Sequence, residues 1–129
     1  MIEPEFLEFD AVLFLHDFAL REYGGLHGTR SEDLLHSALV RPLNRLHDAE
    51  PGEVDLFDLA ATLAHGIVAS HPFNDANKRT GWSCCVLFLK VNGQEIAAGV
   101  PELVERMVAL AADELDEIGF AAWLRGCRR

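Results

Sequence analysis

The chain has 129 residues, 50% of them hydrophobic, and a formal net charge of −10, from 21 Asp and Glu against 11 Lys and Arg. This length predicts one domain, residues 1–129, and the acidic balance argues against direct nucleic acid binding, because phosphate backbones bind basic faces. No apolar run approaches the length of a membrane span and the first residues lack a secretory pattern, so we expect a cytoplasmic protein with no membrane partner.

Two helices are predicted in the first third of the chain. The first begins at the capping residue Asp10 and ends at the glycine pair Gly24 and Gly25. Its apolar face comprises Val12, Leu15, His16, Ala19, Leu20 and Tyr23. Ser31 caps a second helix, which we expect to break near Pro42 because proline removes an amide donor and crowds the preceding turn.

A third helix follows Asp55 and carries an apolar stripe at helical spacing. The stripe comprises Leu56, Leu59, Ala60, Leu63, Ala64, Ile67 and Val68. Its continuation reaches His71, where the following Pro72 disfavours helical geometry. The helix is therefore predicted to end there, with the imidazole held at the edge of the core.

A fourth helix is predicted from Asn77, preceded by the capping residues Asn74 and Asp75. Its body, Trp82–Leu89, is apolar almost all round, so the segment Thr80–Val91 is the expected central helix of the fold. The third and fourth helices thus form a helix–loop–helix elbow.

The last part of the chain contains two more predicted helices. Gln94–Ala98 is a candidate short strand or hairpin, Pro101 begins a fifth helix at its tolerated first-turn position, and Glu117–Gly126 forms the sixth. The alternation typical of a parallel sheet occurs nowhere in the sequence. We therefore predict an all-α fold, a compact helical bundle around a central apolar helix.

The elbow, residues 71–80, combines a titratable base, a carboxylate and two cations between two apolar segments. The first turn of a helix leaves amide groups without partners and carries partial positive charge, so it binds anions. The amides here belong to Ala76, Asn77, Lys78 and Arg79. The two adjacent cations strengthen this prediction, and the guanidinium of Arg79 suits bidentate phosphate contact.

Two further side chains in the elbow indicate phosphoryl or nucleotidyl transfer. Asp75 is the natural ligand for Mg²⁺, a hard cation that proteins hold with one or two carboxylates together with phosphate oxygens. His71 can take a proton from an attacking hydroxyl, because an unperturbed imidazole titrates near neutral pH. The elbow therefore supplies a phosphate cradle, a metal carboxylate and a base.

The string His-Pro-Phe-Asn-Asp-Ala-Asn-Lys-Arg-Thr at residues 71–80 resembles the signature of the Fic/Doc superfamily. Ala76 and Lys78 are similar to the Doc branch, because the common adenylylating Fic pattern has glycine at both positions. That pattern also has a second arginine where this chain has Trp82. The resemblance spans roughly residues 16–93, with further matching segments at Tyr23–Gly28 and Ala38–Pro42.

The resemblance implies a helical bundle whose general base is His71 and whose Mg²⁺ ligand is Asp75. Nucleotide contacts are implied for Phe73, Asn74, Ala76, Asn77, Lys78 and Arg79. ATP and Mg²⁺ are the implied cofactors. Doc-like proteins transfer the γ-phosphate to a Ser or Thr hydroxyl of a protein, by resemblance elongation factor Tu, and thereby arrest translation. They are toxins of toxin–antitoxin pairs, so an antitoxin that binds in trans is the implied partner.

Two other functions stay open from the sequence. The first is adenylyl transfer of the Fic type, because Pro72 gives the front of the signature a Fic-like form. The second is a non-catalytic member that binds a nucleotide or a partner without turnover. A dedicated zinc site is disfavoured because the six histidines lack ligand spacing, and a cysteine nucleophile because Cys84 and Cys85 have no charged neighbours nearby in sequence.

Overall fold

The computed structural model describes residues 3–129, which form six α-helices and no strand. The helices are α1 (Phe9–Tyr23), α2 (Glu32–Asp48), α3 (Leu56–Ser70), α4 (Asn77–Val91), α5 (Val100–Ala111) and α6 (Glu117–Gly126). The predicted all-α bundle is confirmed. The candidate strand at Gln94–Ala98 is not formed, since this segment makes only an isolated bridge between Ile96 and Arg128. Within these residues, no helix is both long and apolar enough to cross a bilayer.

The bundle has a central apolar helix, as predicted, but that helix is α3 and not the segment Thr80–Val91. Ten of the 15 residues of α3 are buried, against six of 15 in α4. Helices α2, α4, α5 and α6 all pack against α3. Small residues allow this crowding: a Cβ added to Gly66 would lie 3.2 Å from that of Ala38 on α2. The C-terminal end of α4 is open to solvent at Lys90 and Val91.

Local capping sets the starts of α2 and α3, as the sequence predicts. The Ser31 hydroxyl accepts a hydrogen bond from the Leu34 amide at 3.2 Å. Asp55 and Asp58 form a reciprocal capping box, in which each carboxylate accepts from the other residue's amide at 2.9 Å. Such caps stabilise a helix by about 1 kcal/mol because they satisfy amides that have no partner within the helix.

Helix α1 ends at its C-cap Gly24, as predicted, but it begins earlier than predicted. It begins at Phe9 with Glu8 as the N-cap, so Asp10 lies inside the first turn instead of before it. A carboxylate in the first turn is favourable because the N-terminal end of the helix dipole is positive, which accounts for Asp10 at this position. Tyr23 was predicted on the buried face but is 72% exposed, because the helix ends at this residue and Gly24 turns the chain away.

The predicted break in α2 near Pro42 is wrong, because the helix continues through this proline to Asp48. An interior proline costs a helix roughly 3 kcal/mol. Contacts beyond the proline offset this cost: Leu46 packs against the core, and Arg45 Nη1 donates to Thr62 Oγ1 at 2.7 Å. Tertiary packing therefore overrides the local signal.

Candidate active site

The elbow between α3 and α4 forms one wall of a cavity of about 750 Å³. This volume falls within the range of small-molecule sites, roughly 300–1,000 Å³. The polar wall contains seven of the eight predicted site residues: His71, Asn74, Asp75, Ala76, Asn77, Lys78 and Arg79. The apolar wall comes from α1, α4 and α5, with Phe18, Tyr23, Trp82, Val100, Val104 and Val108 among its residues. The fold thus gathers the predicted elbow into a site with an apolar side.

His71 lies at the end of α3, in the left-handed backbone conformation (φ 50°, ψ 60°). Arg30 holds it there: Nε donates to the His71 carbonyl at 2.7 Å, and Nη2 donates to the Ser70 carbonyl at 2.6 Å. The imidazole is exposed and borders the cavity. The sequence placed it at the edge of the core, whereas the backbone turn directs the residue to the cavity, where a base can meet a substrate.

The loop after α3 is braced by the segment that follows α1. The amides of Arg30 and Ser31 both donate to the Pro72 carbonyl, at 2.7 and 3.0 Å, and the Asn74 amide donates to the Gly28 carbonyl at 3.1 Å. Asn74 Nδ2 also donates to the His27 carbonyl at 3.1 Å. Only glycine fits at position 28, because φ is +106° and a Cβ would lie 2.8 Å from Asn74 Nδ2.

Asp75 is the acidic group of the site. Its Oδ2 accepts from the Leu26 amide at 3.1 Å and its Oδ1 from the Ala76 amide at 2.8 Å. These two hydrogen bonds, the one from Leu26 foremost, lower the pKa of Asp75, so the carboxylate is charged at neutral pH. Each oxygen keeps a lone pair for another ligand.

The donor set suits Mg²⁺ better than a transition metal. Residues 3–129 contain no group of three or more His, Cys, Asp or Glu arranged to hold a metal ion. A cation at Asp75 would therefore depend on one carboxylate, on water and on oxygens from a bound phosphate, which is how proteins commonly hold Mg²⁺ with nucleotides.

Helix α4 begins with unpaired amides, although not as the sequence predicts. Its N-cap is Ala76, in the left-handed conformation (φ 62°), and no side chain caps the helix. The predicted caps Asn74 and Asp75 are wrong, because their side chains bind the segment after α1. The Ala76 amide is occupied by Asp75. The amides of residues 77, 78 and 79 find no acceptor among residues 3–129 and carry the positive end of the helix dipole.

Two cations flank these amides. Lys78 is exposed and forms no ion pair within the part of the chain that the structure describes. The Arg79 guanidinium lies 5.0 Å above the Tyr23 ring and donates from Nη2 to the Gly24 carbonyl at 3.4 Å. Neither charge is neutralised by a carboxylate ion pair in this region, so an anionic ligand would complete the site.

Phe73 and Asn77 have side chains that stabilise the loop. Phe73 is 1% exposed and is the one predicted site residue outside the cavity wall. Asn77 Oδ1 accepts from the Phe73 amide and Nδ2 donates to its carbonyl, both at 3.0 Å. The Phe73 side chain therefore does not face a ligand, and Asn77 offers its backbone amide.

Three contributors to the site were missed by the sequence analysis. Arg30 and His16 bind backbone carbonyls of the elbow from 41 and 59 residues away, respectively. Helix α5 supplies part of the apolar wall through Val100, Val104 and Val108. The i, i+4, i+8 spacing of these three valines was a usable signal. The sequence contains no signal for the long-range contacts of His16 and Arg30, apart from the position of His16 on a buried helix face.

Comparison with known proteins relates the chain to one family. A model described as the Fic/DOC family matches residues 6–89, which include the elbow. The chain is 34% identical over 116 residues to "Protein kinase doc" of Escherichia phage P1, with 90% of each chain covered. It is 33% identical over 126 residues to "Toxin Doc" of Mycolicibacterium smegmatis, with 95% of this chain and 92% of that protein covered.

Proposed function

Since this chain belongs to the Fic/DOC family and to its Doc-like branch, we propose that it is a toxin that transfers the γ-phosphate of ATP to a Ser or Thr hydroxyl of a protein. The observation that carries this proposal is the cavity itself. It joins an exposed base, a charged carboxylate, three unpaired amides and two cations without carboxylate ion pairs. These are the groups that binding and transfer of a polyphosphate require.

The proposed reaction is an in-line displacement at the γ-phosphorus. The substrate hydroxyl oxygen forms a bond to phosphorus, the bond to the β,γ-bridging oxygen breaks, and ADP leaves with that electron pair. His71 receives the hydroxyl proton. Lys78, Arg79 and the amides at the start of α4 stabilise charge on the phosphate oxygens. Asp75 would hold Mg²⁺, which neutralises phosphate charge.

Phosphate transfer is favoured over transfer of AMP by two residues of the cavity. Lys78 places a charge where the adenylylating pattern has glycine, and Trp82 fills the position of that pattern's second arginine. Both changes alter the anion pocket. Adenylyl transfer is the alternative, because Pro72 is Fic-like.

The proposed target is a translation factor, by resemblance elongation factor Tu, and phosphorylation would arrest translation. The test is to incubate the purified protein with this factor, ATP and Mg²⁺, and to measure the intact mass of the factor. A gain of one phosphate is expected. A gain of one AMP would establish the alternative chemistry instead, and an unchanged mass with measurable ATP binding would point to the non-catalytic alternative.

The proposed partner is an antitoxin that binds in trans. The name of the mycobacterial relative, "Toxin Doc", supports a toxin, and the resemblance to the Doc branch implies the antitoxin. The apolar wall of the cavity offers a place for such a partner: Phe18 is 52% exposed, and Val100, Val104 and Val108 are 69%, 55% and 49% exposed. Exposed apolar patches of this kind are typical of protein interaction sites. Expression of the chain alone should stop bacterial growth, and co-expression of its antitoxin should restore it. Free growth with His71 intact would contradict the toxin proposal.

A further inference from the structure

His16 is buried on α1 behind the cavity wall, with 6% of its surface exposed. Its ring stacks on that of Phe73, with centroids 3.7 Å apart and an interplanar angle of 7°. Its Nε2 lies 2.9 Å from the carbonyl oxygen of Asp75. A carbonyl oxygen can only accept a hydrogen bond, so Nε2 carries a hydrogen and donates it.

The carbonyl that His16 binds bears on where α4 begins. In a longer helix, the amide of Arg79 would donate to the carbonyl four residues earlier, which is that of Asp75. This carbonyl is bound by His16 instead, and the left-handed Ala76 follows it. The Arg79 amide has no acceptor among residues 3–129.

Asn77 occupies a second carbonyl in the same way. In a longer helix its own amide would donate to the carbonyl of Phe73. That oxygen instead accepts from Asn77 Nδ2 at 3.0 Å. Two side chains thus hold carbonyls that would otherwise pair with amides of the first turn of α4.

Building on the proposed nucleotide site, we infer that His16 is a positioning residue for phosphate binding. Its Nε2–H fixes the peptide between Asp75 and Ala76 and so keeps the Arg79 amide available to a phosphate oxygen. The same peptide directs the Ala76 amide to Asp75 Oδ1 at 2.8 Å, so the contact also orients the carboxylate. It further holds Ala76 in a backbone conformation that a non-glycine residue adopts only when its surroundings impose it.

Three variants separate the donor from the ring. His16→Phe keeps a planar ring over Phe73 and lacks the donor. His16→Gln keeps a donor at similar reach and lacks the ring. His16→Asn carries the same amide on a side chain one methylene shorter, which cannot reach the Asp75 carbonyl.

The measurement is a titration with inorganic tripolyphosphate. Binding is monitored by calorimetry and by the NMR chemical shifts of the backbone amides of residues 77–79. His16→Phe and His16→Asn should bind tripolyphosphate about tenfold more weakly than the wild type. The reason is loss of the charge-assisted hydrogen bond between the Arg79 amide and a phosphate oxygen. His16→Gln should bind within about twofold of the wild type, since the donor is restored. In all variants that fold, adenosine, which has no phosphate, should bind as it does to the wild type.

The outcomes distinguish this inference from the proposed function. Wild-type affinity for tripolyphosphate in His16→Phe and His16→Asn would overturn the role of His16 and leave the nucleotide site standing. No binding by the wild type would overturn both. If His16→Phe does not fold, the Gln and Asn variants give the same comparison, because neither has the ring and only one has the reach.

Discussion

Two regions of the molecule use charged side chains in opposite ways: the cavity at the start of α4, and an ion-pair cluster that joins α2, α3 and α6. The cluster comprises Arg41, Arg45, Asp55, Asp58, Thr62, His65, Glu117 and Arg125. Glu117 accepts from Arg41 and from Thr62 Oγ1 and lies 3.0 Å from His65 Nδ1. In the cavity, Lys78 has no carboxylate partner within residues 3–129.

The difference separates residues that stabilise the fold from residues that we propose to bind a ligand. Charges in the ion-pair cluster satisfy one another and tie three helices together. Lys78 and Arg79 instead lie at the positive end of a helix dipole. Cations at this end destabilise a helix unless an anion is bound there. Unsatisfied charge beside unpaired amides is therefore what distinguishes the proposed binding site in this chain.

Substitution of the base has the largest expected effect. His71→Ala should slow phosphate transfer by about 10²- to 10⁴-fold, because it removes the group that accepts the proton. The melting temperature should change little, since the side chain is exposed. The rate is measured as phosphate gained by the target protein over time. The matched control is His47→Ala, whose imidazole is also exposed and contacts Glu3 instead. A near-wild-type rate for His71→Ala would eliminate base catalysis by this residue.

Breaking the ion-pair cluster should cost stability without affecting the chemistry. Burial opposes ionisation of Glu117, but the hydrogen bond and charge of Arg41 keep its pKa below the ordinary value. Glu117→Ala should lower the free energy of unfolding by about 1–2 kcal/mol, measured by denaturant titration. Transfer activity of the folded protein should be retained. Glu114→Ala, at an exposed acidic position, should stay within about 0.5 kcal/mol of the wild type.

Removing a cavity cation should have the opposite effect on stability. Lys78→Ala should weaken ATP binding about tenfold through loss of a charge-assisted contact. Without nucleotide it should raise the free energy of unfolding by about 0.3–1 kcal/mol, because a cation leaves the helix N-terminus. Lys90→Ala is the control, since this exposed lysine lies in the last turn of the same helix. It should leave ATP affinity unchanged. A loss of stability in Lys78→Ala would remove the distinction between the two regions.

The smallest expected effect is a dependence of stability on acid pH. Burial opposes the shift, but the hydrogen bonds and charge of Arg125 and the Asp58 amide lower the pKa of Asp55 from 3.8 to about 2. Asp55 binds protons more readily in the unfolded chain, so its stabilising contribution is complete above pH 3.8 and disappears as the pH falls to about 2. Melting temperatures across this range should fall less steeply in Arg125→Ala than in the wild type. Parallel curves would argue against the pairing.

Local sequence signals predicted the elements that local interactions create. Ser31 and Asp55 were found because a cap acts on amides two or three residues away, and Glu117–Gly126 was predicted with the bounds that the structure has. Pro42 was misjudged because contacts of Arg45 with α3 decide the outcome there. The central role of α3 likewise depends on its neighbours in space.

Within the proposed site, the sequence predicts elbow residues that line the cavity, but not the conformation that arranges them. The left-handed Ala76 has no signal in its own side chain, and it depends on groups far away in the chain. His16 binds the carbonyl of Asp75 and the Leu26 amide binds its carboxylate, and these residues are 59 and 49 positions away from Asp75 in the sequence. Spacing within a motif cannot reveal such partners.

These separations in sequence also determine at which stage of folding the site forms. Hydrogen bonds spanning 40–59 residues form only when α1 and the segment after it have met the elbow, so the elbow gains its shape with the tertiary fold and not with the individual helices. A single local opening of residues 24–31 would release the loop at several points together. The proposed activity would then be lost in one cooperative step while most of the bundle stayed folded, and hydrogen exchange of the Asn74 amide would report that opening.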